Sequence, residues 1–282
     1  MIYMSNEEII NIVISVLGGG GLGGLLIEGS RRYFQNRISL KRIDSIKDKD
    51  ITELISLYES TIEPQERIRP EELIRFVGRP RIDGLFDNLL IWKKGKNVIG
   101  FIKFIHCSPE NWIFVAYLGA DKKNMEVRQA TSTFMIKDLI KFVDKKVGKY
   151  DLIFFESESN RRHFEVKDRQ YYGLARLLRI PLNQKGLYIY ELDMDYYQPD
   201  IPTDTDYDIM PRTPMSLYIV THSPDETYIK KEQVLKILNL LYIKIYRRTY
   251  EGSEMHDLYK STLLDYIKIY NEKLPNLVPL IK

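Results

Sequence analysis

Between Leu89 and Leu118 the apolar residues come in three short runs separated by turn signals, and after Met125 their spacing changes from strand-like to helical. The runs are Leu89-Leu90-Ile91-Trp92-Lys93, Val98-Ile99-Gly100-Phe101-Ile102-Lys103-Phe104-Ile105 and Trp112-Ile113-Phe114-Val115-Ala116-Tyr117-Leu118. Lys94-Gly95-Lys96-Asn97 turns the first into the second, and Cys107-Ser108-Pro109-Glu110-Asn111 joins the second to the third. A polar patch, Asp121-Lys122-Lys123-Asn124, then opens a helix from about Met125 to Val143, with Ile136, Leu139, Ile140 and Val143 on one face. Upstream, Asp50-Ile51-Thr52-Glu53 reads as a capping box for a helix that buries Ile51, Leu54, Ile55 and Tyr58. Pro70-Glu71-Glu72 reads as a first helical turn, with Gly78 near its end. Downstream, Asp151 to Glu156 is a strand and Ser157 to Arg162 a polar break. Tyr171 to Leu178 is a helix, and Leu187 to Leu192 a strand after the turn Asn183 to Gly186.

This order of elements, over roughly Lys49 to Tyr197, resembles the GCN5-related N-acetyltransferases, the GNAT superfamily. The family's phosphate-gripping motif is Arg or Gln, two residues, Gly, one residue, and Gly or Ala. It is matched here by Arg128-Gln129-Ala130-Thr131-Ser132-Thr133, with Thr131 and Thr133 at the glycine positions. The loop before it, from Ala120 to Arg128, is a few residues longer than in the family. The resemblance implies a mixed, mostly antiparallel α/β sheet with helices on both faces. The strand Trp112–Leu118 is then parallel to Leu152–Phe155 and joined to it by the helix. The resemblance also implies acetyl-CoA as acyl donor. Its pantetheine lies between those two strands beside Leu118 and Ala120, and its diphosphate lies over Arg128, Gln129, Ala130, Thr131, Ser132 and Thr133. A helix N-terminus suits that role because its first amides are unpaired and its dipole favours anions.

The segment Ile9 to Ile27 holds only two polar side chains, Asn11 and Ser15, and approaches the roughly 20 residues that span a bilayer core. Glu7 and Glu8 precede it, and Arg31, Arg32, Arg37, Lys41 and Arg42 follow. The positive-inside rule then sets the rest of the chain in the cytoplasm, anchored to the inner face of the membrane. Six glycines from Gly18 to Gly24 support a second reading, a Gly-rich loop between two soluble helices. The division that follows is an apolar segment over 1–42, an acyltransferase-like domain over 43–198, and a linker with a C-terminal extension over 199–282. In the extension, Pro199 to Pro214 is the linker and Leu217 to Thr221 one more strand. Two helices with Gly252 between them form a hairpin, packed on the core or on another copy of the chain. The first carries Val234, Ile237, Leu238, Leu241 and Ile245 as its apolar stripe, the second Met255, Leu258, Leu263, Tyr266 and Ile269.

At 44% hydrophobic and 29% charged, 282 residues can bury a sizeable core. A net charge of +3 gives no footprint for nucleic acid. The single cysteine, Cys107, excludes an intrachain disulfide, and the four histidines show no metal-ligand spacing. His106 beside Cys107 does not make a nucleophile–base pair, since neighbouring strand residues point to opposite faces. Acyl transfer to an amine needs a proton acceptor, and Glu156, at the end of its strand, is the candidate base, with Glu158 in reserve. The resemblance assigns the acid for the leaving thiolate to a tyrosine on the following helix, where Tyr172 stands. Two functions follow from these residues. One is an acetyl-CoA-dependent N-acyltransferase whose amine acceptor, small molecule or protein, the sequence does not name. The other is a non-catalytic binding or regulatory module of the same fold, tethered at a membrane. Oligomeric state is open.

Overall fold

The computed structural model describes residues 38–62, 67–79, 83–121, 125–146, 148, 150–158, 179, 182–183, 185–199, 212–249 and 256–282. Its strands are β1 (Ile38–Arg42), β2 (Leu85–Lys94), β3 (Asn97–Cys107), β4 (Trp112–Ala120), β5 (Leu152–Glu158), β6 (Tyr188–Leu192), β7 (Tyr196–Pro199), β8 (Arg212–Thr221), β9 (Tyr228–Lys230) and β10 (Leu277–Ile281). Its helices are α1 (Ile51–Thr61), α2 (Pro70–Ile74), α3 (Met125–Lys146), α4 (Lys231–Asn239), a π-helix (Leu240–Tyr246), α5 (Arg247–Thr249) and α6 (His256–Lys273). The strands lie in the order β1-β2-β3-β4-β5-β8-β6-β10-β9, with β7 also on β8. β4 and β5 pair in parallel, from Trp112 with Leu152 to Val115 with Phe155. The other pairs are antiparallel. The meander, α3 and the parallel pair therefore stand where the sequence sets them.

Alternation along the strands sorts the core into two faces. Leu90, Trp92, Ile102, Phe104, Ile113, Val115, Ile153 and Phe155 meet Met135, Ile136, Leu139, Ile140 and Val143 of α3. The helix lies so close to β3 that a Cβ on Gly100 would stand 2.8 Å from the Met135 sulfur. Trp92, buried on this face, keeps its indole N–H satisfied by donating to Asp138 at 2.9 Å. The opposite face carries α1 and α2 over Leu89, Ile91, Val98 and Phe101. Beside them α4, the π-helix and α6 cover Ile105, Phe114, Phe154, Leu217 and Ile219.

Several local readings change. Asp50 stands at the N-cap of α1 without a side-chain cap hydrogen bond. Its carboxylate instead takes Lys41 at 2.7 Å and Lys93 at 2.5 Å, because β1 and β2 bring two ammonium groups within reach. The strand read at Leu217 begins earlier, at Arg212, and is an interior strand between β5 and β6, so residues beyond 199 share the sheet and core with those before it. Pro199 belongs to β7 and Arg212 to Pro214 to β8, and the rest of the stretch read as a linker lies outside the described residues. Ile38 to Arg42, read from sequence with the N-terminal segment, form the edge strand on β2. In α6 Leu263 and Tyr266 are buried as read, but Tyr270 rather than Ile269 continues the buried face. Residues 9–27 and the helix read at 171–178 lie outside the described residues. Among the described residues no helix is long and apolar enough to cross a membrane.

Candidate active site

β4 and β5 stop pairing after Val115 and Phe155, yet both continue. β4 stays on β3 as far as Ala120, and β5 stays on β8 as far as Glu158. Each strand keeps its outer neighbour and loses its inner one, so a cleft opens in the sheet. The register of β3 on β4 shifts at the same level, Lys103 facing Tyr117 and Phe104 facing Val115. Ala116 is the extra residue of this β-bulge. A bulge re-aims the side chains that follow it, and here it sends Tyr117 to the same face as Ala116, where both line a cavity.

Glu156 is the first residue of β5 past the last β4 partner, on the α1–α2 face. It is partly buried between two phenols. Tyr196 of β7 donates to one carboxylate oxygen, and Tyr246 of the π-helix to the other. The Tyr246 oxygen in turn accepts from Gln198 at 2.7 Å. Burial pushes the Glu156 carboxyl up to about 7, against the two donated hydrogen bonds that pull it down. Burial, with the Glu156 charge beside them, holds the Tyr196 and Tyr246 phenols well above their usual value, so both stay protonated donors.

The wider turn of the π-helix keeps Leu241, Tyr242, Ile245 and Tyr246 buried together. Tyr242 donates to the Tyr197 carbonyl at 2.6 Å, and the Tyr197 amide donates to the Tyr270 hydroxyl at 3.1 Å. These bonds pin β7 to the helices and fix both tyrosines that hold Glu156.

The cavity, of about 60 Å³, lies between α2 and the π-helix over β3, β4 and β5. Lys103, Tyr117, Glu156, Gln198, Tyr246 and Arg248 give it its polar groups. Arg248 donates to Asp87 at 2.8 and 3.4 Å, and the Lys103 ammonium lies 3.6 Å from the same carboxylate. All three are buried.

Of the residues singled out from sequence, Glu156 is at this centre. Leu118 and Ala120 are half-buried on the other face of β4, against the α3 core. Arg128 to Thr133 are the fourth to ninth residues of α3, with side chains outside the described residues. Tyr172 and the Glu158 side chain also lie outside them. Cys107 is buried, with its thiol pushed up to about 12 by burial, which suppresses the thiolate a hydrolase would need. Among the described residues no cluster of His, Cys, Asp or Glu could hold a metal. Sequence reasoning missed Tyr196, Tyr246, Gln198, Asp87, Lys103 and Arg248. The available signal was Asp87 and Lys103, which interrupt otherwise apolar strands.

No protein-family model matches the chain, and no curated protein matches it. Solved structures that resemble it include one described as an acetyltransferase of the GNAT family from Bacteroides thetaiotaomicron, 16% identical, covering 74% of this chain and 98% of that one with a TM-score of 0.49. A Bacillus subtilis acetyltransferase in complex with CoA is 13% identical, covering 64% and 97%, TM-score 0.38. The ribosomal-protein-S18-alanine N-acetyltransferase of Escherichia coli is 9% identical, covering 68% and 99%, TM-score 0.41. One of these three, the Bacteroides protein, is described as of the family that the element order resembles.

Proposed function

We propose that this protein is an N-acyltransferase that takes an acetyl group from acetyl-CoA and passes it to an amine, with Glu156 as the general base. The observation that carries this reading is the position of Glu156. It is a carboxyl held near neutral pH by burial, at the mouth of the cleft where the parallel strands β4 and β5 part. A base whose pKa lies near working pH is ionised often enough to accept a proton and basic enough to take it. Bound there, acetyl-CoA would supply a thioester. The amine nitrogen would bond to the acyl carbon as the carbon–sulfur bond broke, and Glu156 would take one N–H proton. The thiolate leaves with a proton from an acid, for which Tyr172 is the candidate.

The cleft supports a path for the pantetheine past Leu118 and Ala120, and the start of α3, where Met125 to Arg128 carry the unpaired amides, supports a diphosphate near Arg128 to Thr133. Calorimetry with acetyl-CoA tests the reading, with Thr131→Glu as control. A carboxylate set against the phosphates should abolish binding and leave the melting temperature unchanged. A binding isotherm indifferent to Thr131→Glu removes the phosphate assignment, and no binding by the unaltered protein removes the enzyme. We also propose residues 9–27 as a membrane tether, on the length of that apolar run. Extraction of the full chain from membranes at alkaline pH would refute it.

A further inference from the structure

Resting on the acyltransferase reading, we propose that the acceptor is a small amino acid, its amine held at Glu156 and its carboxylate held by Arg248, with the Lys103 charge beside it. Asp87, Lys103, Tyr117 and Glu156 come from successive strands, β2 to β5, and on the same face. Paired strands are ~4.8 Å apart, so β3 and β5 lie roughly 10 Å apart where both still pair with β4, and further apart at Glu156, where the cleft opens. After a hydrogen bond at either end, a molecule whose amine and carboxylate are a few bonds apart bridges that span.

The charges call for an anion. Two buried cations, Lys103 and Arg248, share the carboxylate of Asp87. Of the other carboxylates lining the cavity, Glu72 is shared between Arg75 at 3.1 Å and the field at Lys103, and Glu156 accepts from its two tyrosines. Lys103 keeps its ammonium partnered, donating to the carbonyls of Leu73 at 2.7 Å and Glu72 at 3.4 Å as well as facing Asp87. Burial pulls its pKa down, the largest effect on it, and the Asp87 charge pulls it up. A buried positive charge in excess is costly until an anion meets it.

Arg248 has the donors to meet one. Its two terminal nitrogens face Asp87, and its Nε is buried without a hydrogen-bond partner. The Phe76 ring, 4.4 Å away, supports the flat of the guanidinium, so the plane is fixed. The edge bearing Nε matches a second planar carboxylate, which can take two parallel N–H bonds.

Calorimetry on the full chain tests this with matched pairs that differ by the carboxylate alone: glycine and methylamine, β-alanine and ethylamine, 4-aminobutyrate and propylamine. At least one acid should bind about tenfold or more tighter than its amine. Arg248→Lys, which keeps the charge and loses the planar fork, should erase most of that preference. Acids and amines binding alike, or no acid binding, overturns the proposal, and the unaltered protein decides this even if Arg248→Lys does not fold. Acetyl-CoA binding is measured separately. If acetyl-CoA binds and the acids show no preference, the anion subsite alone is lost. If the acids bind and acetyl-CoA does not, the transferase reading is lost.

Discussion

At Glu156 two opposed effects act on one carboxyl. Removing water raises its pKa, two phenol donors lower it, and burial wins, leaving a value of about 7. A base must be ionised to work, so turnover should rise with pH up to about 7 and level off above it. Glu156→Gln should lose roughly 100-fold or more in turnover together with that acid limb. A Gln variant that keeps both rate and limb would remove Glu156 from the reaction. Tyr246→Phe gives a second reading of the same balance. The Tyr246 hydrogen bond stabilises the ionised carboxylate, so its loss should raise the Glu156 pKa further and move the acid limb to higher pH. A limb that stays in place or moves down would contradict the assigned role.

At the scale of elements, the meander and α3 were legible from local periodicity, and the parallel β4–β5 pair from the strand–helix–strand order that the resemblance rests on. The bulge at Ala116, the π-helix and the position of β8 were not. The bulge depends on pairing with β3, and an α-helix and a π-helix share the same apolar residues. The place of β8 between β5 and β6 is set by contacts distant in sequence. Glu156 was legible as a strand-end acid, but its tyrosine partners come from segments forty and ninety positions further on. Asp50 shows the same limit. Its sequence neighbours read as a cap, whereas its carboxylate ties α1 to β1 and β2 through Lys41 and Lys93. The hydrogen bond from Lys41, then that from Lys93, lowers its pKa. This stability is therefore fully present above the unfolded carboxylate value of ~3.9 and is lost as pH falls through the lower native one. Asp50→Asn should cost about 2 kcal/mol at neutral pH, since it strands the Lys93 ammonium and leaves Lys41 with Asp48 alone. In urea titrations the deficit should shrink below pH ~4. A deficit independent of pH would mean that the ion pairs contribute nothing.

At the scale of the molecule, the chain beyond residue 199 completes both the sheet and the site. β8 fills the gap between β5 and β6, and the helical stretch after β9 delivers Tyr246 and Arg248 to the cavity. A chain ended at residue 199 would leave β5 and β6 without the strand that joins them and expose the face bearing Phe154 and Phe114, so it should not fold cooperatively. The N-terminal side divides at a different point. β1 pairs along its whole length with β2, from Ile38 with Lys94 to Arg42 with Leu90, and carries Lys41 to Asp48 and Asp50. A chain beginning at Ile38 should therefore melt at the same temperature as the full protein. One beginning at Ile43 should melt lower, having lost an edge strand and one of the two lysines on Asp50. If the two truncations melted together, β1 would be an appendage to the fold, and the sheet would be closed at β2 by its own side chains.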